Sequence, residues 1–132
     1  MNNDEISFGV CKCLSEVLKI DEKSIRPEDR VIGDLGADSL DLLDLIFQME
    51  QHFGLRIKPR DIERRAKEAL GKTPLEIDGV YTPEALAQLC QSMPEVPADE
   101  MVQGLRINKL PYLFRVQTFI NLVGRLRSEQ KI

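Results

Sequence analysis

The chain has no tryptophan, a single histidine, three cysteines, and only two Tyr and five Phe among its 132 residues. Each shortage excludes something. His52 alone cannot build a histidine-rich metal centre, and Cys11-Lys12-Cys13 with a distant Cys90 makes a poor zinc set. No metal site is expected. An odd number of cysteines does not make a disulfide framework either. They read as reduced thiols in or near the core, with Cys13 on the apolar stripe of the first helix. No apolar run reaches the ~20 residues that a membrane span requires. The opening MNNDEIS is acidic and polar, unlike a secretory signal. These readings point to a cytoplasmic protein without a membrane span.

What is present suits one domain with an appendage, since domains commonly run to about 100–150 residues. The net charge of −4 is unevenly placed. Residues 1–54 hold 12 acidic and 5 basic residues, a balance of −7, whereas residues 55–132 hold 10 acidic and 13 basic, a balance of +3. Phosphates would be repelled by the acidic half, so nucleic acid is not the expected partner. An acidic surface suits docking onto basic patches of other proteins, where complementary charge governs encounter rate and specificity.

Hydrophobic spacing predicts five helices. The first runs from about Asp4 to Leu18, capped by Asn3 or Asp4, with Ile6, Val10, Cys13, Leu14 and Val17 as its buried stripe. A long connection, Lys19 to Asp38, needs anchors, and Ile20, Ile25, Val31, Ile32 and Leu35 are the candidates. The second helix starts at Ser39 and ends near Gly54. Leu40, Leu43, Ile46 with Phe47, Met49 and Phe53 recur at helical steps as its apolar stripe; Asp41, Asp44, Gln48 and Gln51 lie opposite. Pro59 opens a third helix, PRDIERRAKEAL, whose exposed face is basic through Arg60, Arg64, Arg65 and Lys67. Residues 71–81 are turn chemistry. Thr82 caps a fourth helix with Pro83 at its first position; Leu86, Leu89, Cys90 and Met93 form its apolar side, and Pro94 and Pro97 stop it. A fifth helix is expected from about Lys109 to Ser128, with Pro111 in its first turn, apolar over most of its girth and basic at its end through Arg125, Arg127 and Lys131.

Ser39 is the residue with chemical promise. A serine nucleophile needs a base and an oxyanion hole. His52 lies thirteen residues along the same helix, about 20 Å away at the helical rise, and Gly-x-Ser-x-Gly is absent. Hydrolase chemistry is therefore excluded, and no catalytic residue is expected. The plain structural alternative is that Ser39 merely caps its helix, as serines at helix starts usually do.

Asp34-Leu35-Gly36-Ala37-Asp38-Ser39-Leu40-Asp41, placed near residue 40 and followed by an acidic amphipathic helix, closely resembles the acyl carrier proteins. The resemblance covers roughly residues 4 to 92. It implies an all-α, acyl-carrier-like four-helix bundle with an additional C-terminal helix. Residues 1–93 would be the carrier domain and 94–132 a linker and helical extension. It also implies that a phosphopantetheinyl transferase moves 4′-phosphopantetheine from coenzyme A onto the Ser39 hydroxyl. The arm's thiol would then carry acyl thioesters to ketoacyl synthases, acyltransferases or acyl-activating enzymes. Such a chain is not an enzyme, and a monomer is expected.

The resemblance further assigns partner docking to Asp38, Leu40, Asp41, Asp44, Phe47 and Glu50, and an acyl-chain pocket to Leu43, Ile46, Ile57, Ile62 and Leu86. Phe47 is larger than the residue often found at its position. The basic third helix departs from the usual acidic or mixed one, and an insertion separates it from the fourth. Both departures imply a specialised carrier of a fatty acid or polyketide-type pathway. A peptidyl or aminoacyl carrier, or a non-carrier helical interaction module, are the alternatives. The fifth helix would either pack on the bundle, enlarging its interior for a long or bulky acyl chain, or present its apolar surface to a partner or a second copy.

Overall fold

A computed structural model describes residues 2–58 and 60–130. Pro59, read above as opening the third helix, and Lys131 of the basic C-terminal end lie outside them. Helix α1 spans Asn3–Leu18. Its cap is Asn2, whose side chain accepts from the Glu5 N–H at 2.9 Å, slightly upstream of the residues expected. Ile6, Val10, Cys13 and Leu14 are buried, while Val17 is half-buried. In the loop that follows, Ile25 and Val31 are fully buried and Ile20, Ile32 and Leu35 pack against the same core.

Helix α2 spans Ser39–Phe53 and ends at Gly54, whose φ of 65° is the left-handed conformation that glycine takes without steric cost. Its core face differs from the stripe read in the sequence. Leu45, Met49 and Phe53 are buried and Leu42 and Ile46 partly so. Leu40, Leu43 and Phe47 are 74%, 66% and 57% exposed. The first half of this helix is apolar nearly all round, so spacing alone could not say which row meets α1. Close approach decides it: a Cβ at Gly9 of α1 would lie 2.5 Å from the Phe53 ring.

The expected third helix is in two pieces. A 3-10 turn at Asp61–Glu63 precedes helix α3, Arg64–Leu70. Arg60 has a φ of 66°, which a continuous helix cannot contain. The Asp61 carboxylate takes the Lys58 N–H at 2.7 Å and fixes the turn. The basic face is also largely neutralised. Arg60 pairs with Glu63 and Glu76 at 2.8 and 2.7 Å, and Arg64 pairs with Asp61, Glu68 and Glu129. Arg65 and Lys67 are exposed and make no ion pair among the described residues.

Residues 71–81 hold more than turns. Strands β1 (Glu76–Ile77) and β2 (Val80–Tyr81) form a minimal antiparallel hairpin. Asp78 and Gly79, with φ of 52° and 80°, are the Asp-Gly pair that a tight hairpin turn favours. Helix α4, Pro83–Ser92, has the expected Thr82 cap on the Ala85 N–H at 3.1 Å. Leu86, Leu89 and Met93 are buried.

The expected helix over 109–128 is split as well. A 3-10 segment at Ile107–Leu113 leads to an extended Phe114 and Arg115, and helix α5 runs Val116–Glu129. The break has a cause. The Phe114 carbonyl accepts the Val31 N–H at 3.0 Å, and the Val116 and Gln117 N–H groups donate to Asp29 and Pro27 carbonyls, each at 2.9 Å. Backbone turned outward to that loop cannot also close helical hydrogen bonds.

Helix α5 packs against α1, and α3 packs against α4. Val116, Phe119, Ile120, Leu122, Val123 and Leu126 of α5 join the α1, α2 and α4 side chains in one continuous apolar core. The architecture is an all-α, carrier-like bundle carrying one two-stranded ornament. Among the described residues, no helix is long and apolar enough to cross a membrane.

Candidate functional site

Ser39 is the first residue of α2 and is exposed. The turn before it is self-bonded: the Asp34 carboxylate accepts the Arg30 N–H at 2.8 Å, and the Gly36 and Ala37 N–H groups donate to Ile32 and Val31 carbonyls, each at 3.1 Å. Buried Val31 and Ala37 anchor that turn in the core, so the residues after it emerge at a fixed place.

Capping of α2 is done by its neighbours. The Asp38 side chain accepts the Asp41 N–H at 2.8 Å, and the Asp41 side chain accepts the Asp38 N–H at 3.0 Å, a reciprocal capping box. The Ser39 hydroxyl makes no hydrogen bond among the described residues. A serine that merely capped the helix would be spent on the backbone; this one is not.

Beside Ser39 lies an apolar cavity of about 640 Å³. Leu43, Ile46, Ile57 and Ile62, four of the five residues that the resemblance assigns to an acyl-chain pocket, line it. Leu86 does not; it is buried in the core and is not part of the lining. The lip includes Arg60 and Glu63, which are held in place. Arg60 makes a two-pronged bond to Glu63 at 2.8 Å, and the Tyr81 hydroxyl donates to the same carboxylate at 2.6 Å. Burial first, and then Glu63, push the Tyr81 phenol well above its ordinary range, so it stays a donor.

Of the residues assigned to docking, Leu40 and Phe47 are exposed beside Asp38 and Asp44, giving an apolar row edged with carboxylates. Glu50 is engaged elsewhere: its carboxylate accepts the Ile57 N–H at 2.9 Å and ties the loop after α2 back to the helix. His52 sits at the far end of α2, edge-on to the Phe53 ring and against Gly9. It is a packing residue, remote from Ser39. The three cysteines are free thiols. Burial, then Glu16, push the Cys13 thiol up to about 11, and burial chiefly raises that of Cys11.

The sequence reading allowed for a C-terminal helix that enlarges the interior but did not name the side chains that form this further wall of the cavity. Leu110, Phe114, Phe119 and Leu122 form it, all from the C-terminal segment. The near-continuous apolar girth over 110–126 was the one signal available, and it says that the segment is covered on several sides, not by what.

The fold and this arrangement define an all-α carrier bundle with a presented hydroxyl and an apolar cavity beside it. Comparison with known proteins gives the family. The family model described as phosphopantetheine attachment site matches residues 9–78. The acyl carrier protein of Thermotoga maritima is 41% identical over 63 residues, covering 48% of this chain and 78% of that protein. Acyl carrier protein AcpXL of Brucella melitensis biotype 1 is 36% identical over 89 residues, 67% of this chain and 88% of that protein. AcpXL of Rhizobium meliloti is 44% identical over 48 residues, 36% of this chain and 50% of that protein. No solved structure matches. The chain belongs to the phosphopantetheine-attachment family and is an acyl carrier protein.

The cofactor of such a carrier is 4′-phosphopantetheine, attached covalently. The residues present fit it. An unspent hydroxyl at a helix start can take a phosphodiester, since the helix N-terminus tolerates an anion, and the neighbouring cavity can shelter apolar cargo. The family's partners are phosphopantetheinyl transferases and acyl-handling enzymes in general.

Proposed function

We propose that Ser39 is the attachment point of the arm, and that the chain delivers acyl thioesters to the enzymes of a specialised fatty acid or polyketide-type pathway. The observation that carries this is the capping box. Asp38 and Asp41 satisfy each other's backbone and leave the Ser39 hydroxyl exposed and unspent at the mouth of an apolar cavity. When bound, the arm supplies a thiol that holds the acyl group as a thioester. The chain's own residues hold Ser39 at a fixed place, present an acidic and apolar docking row through Asp38, Leu40, Asp41, Asp44 and Phe47, and offer the cavity of Leu43, Ile46, Ile57 and Ile62 to the acyl tail.

A transferase brings the base that takes the Ser39 proton, because among the described residues no side chain is hydrogen-bonded to that hydroxyl and the neighbouring Asp38 and Asp41 carboxylates are held by the capping box. Ketoacyl synthases, acyltransferases and acyl-activating enzymes are the downstream partners. Free thiols at Cys11, Cys13 and Cys90 suit a reducing compartment, which fits a cytoplasmic setting. Residues 1–93 act as the carrier unit, and 94–132 as an extension built into its core. The apolar girth of α5 is spent on this chain's own α1, which supports a monomer.

Incubation with coenzyme A and a broad-specificity transferase tests the reading. Intact mass should rise by one phosphopantetheine and not rise in Ser39→Ala. An unmodified wild-type chain beside a control carrier that is modified overturns it.

A further inference from the structure

The cavity beside Ser39 is not built from the carrier unit alone. The family match ends at residue 78, yet Leu110, Phe114, Phe119 and Leu122 come from well beyond it. Burial tells the two ends of the cavity apart. Ser39, Leu43 and Arg60 are exposed and mark the mouth, while Leu110, Phe119 and Leu122 are at most 2% exposed and mark the closed end. At that end the Phe114 and Phe119 rings meet edge to face, centroids 5.7 Å apart and planes at 87°.

This end wall is braced. The Phe114 carbonyl is held by the Val31 N–H at 3.0 Å. The next residue, Arg115, is 6% exposed and bonded to Glu100 at 2.7 Å. One turn into α5, the Thr118 hydroxyl donates to Glu95 at 2.7 Å. A wall tied at three successive points retreats less readily than a free loop, and a close-packed interior offers it nowhere to go.

We propose that the Phe114–Phe119 pair is the stop that sets how long an acyl chain this carrier can bury. The proposal rests on the reading of Ser39 as attachment point and of the cavity as the tail's shelter. Each methylene that enters leaves water, until the chain's end reaches the rings. Further carbons must then fold back or stay in solvent.

The test loads Ser39 from a saturated acyl-coenzyme A series, hexanoyl to stearoyl, and measures thioester cleavage by hydroxylamine. For the wild type, cleavage should slow by up to about fourfold per added methylene and then level off at one chain length. In Phe119→Leu and, separately, Phe114→Leu, each checked for native circular dichroism, the levelling point should move to longer chains. In the wild-type protein, the terminal methyl of the longest buried chain should give nuclear Overhauser contacts to both rings, a readout that needs no variant. Folded variants with an unmoved levelling point, or a terminal methyl that touches neither ring, overturn the stop. Loading without any dependence on chain length overturns the cavity reading as well, and failure to load Ser39 overturns the carrier reading beneath both.

Discussion

Two glycine-to-alanine changes, one in α1 and one in α5, should shift stability in opposite directions. In a helix interior, alanine is favoured over glycine by about 1 kcal/mol. At Gly124 nothing offsets that gain, since the nearest atom to an added Cβ is Ile6 Cδ1 at 3.9 Å, an ordinary contact. Gly124→Ala should stabilise by about 0.5–1 kcal/mol. At Gly9 the added carbon would sit 2.5 Å from Phe53 Cζ and 2.8 Å from His52 Nε2. His52 is exposed and can move aside; Phe53 is 5% exposed and cannot without disturbing the core it is packed in. Overpacking of this kind costs about 1–3 kcal/mol, so the clash outweighs the propensity. Gly9→Ala should destabilise by about 1 kcal/mol net. For a chain of this size each kcal/mol moves the melting midpoint by about 3–6 °C, well within the reach of calorimetry. A rise of equal size in both variants would show that α1 and α2 do not cross closely at Gly9, and the account of which face of α2 is buried would fail with it.

Tyr81→Phe removes the hydroxyl bonded to Glu63 but leaves Arg60 on that carboxylate, so the loss should be about 1–2 kcal/mol, read as a lower urea midpoint with unchanged slope. An unchanged midpoint would show that the phenol is not bonded in solution. The Arg115 hydrogen bond, and then the charges of Arg115 and Arg30, hold the Glu100 carboxyl below its ordinary value of 4.5. Its folded value lies below its unfolded one, so its contribution is fully present above pH 4.5 and fades as pH falls through the folded value. The melting difference between wild type and Glu100→Gln should therefore shrink in acid and stay constant above neutrality; a difference that grew in acid would reverse the sign argued here. Truncation after Met93 should yield a chain without a cooperative melt by circular dichroism, and a sharp melt at the full-length midpoint would show that α5 contributes nothing to the core.

The helices were legible in the sequence because caps and breakers stand at their ends. Thr82-Pro83 opens α4, Gly54 closes α2, and Asn2 sits next to the residues first considered for α1. What failed to show had a specific physical origin each time. The third and fifth helices read as continuous because periodicity does not register a single left-handed residue such as Arg60, or a carbonyl such as that of Phe114 drawn out to Val31. Those interruptions depend on partners far away in the chain. The Asp78-Gly79 turn was visible, but strands of two residues carry no periodic signal. Ser39 was singled out by its neighbours in sequence, and Leu43, Ile46, Ile57 and Ile62, named with it, line the cavity beside it. The C-terminal wall was not singled out, since Phe119 comes to line one cavity with Ile46 and Ile62 only after the chain has folded.

The extension is an appendage in sequence but not in energy. Val116, Phe119, Leu122, Val123 and Leu126 are each at most 2% exposed, and burying a side chain of this kind is worth about 1.5–3 kcal/mol. Together they contribute roughly 8–15 kcal/mol of gross stabilisation, as large as the entire net stability of an ordinary domain. Ordering α5 costs part of this, yet its removal would also bare the part of α1 that α5 covers, Ile6 beside Gly124 included. The same side chains that complete the core also close the cavity beside Ser39, because Phe119 and Leu122 face both. A change that enlarged the cavity by withdrawing this wall would therefore also weaken the bundle. In this chain part of the cavity wall and part of the core are one row of residues, so moving that row changes both.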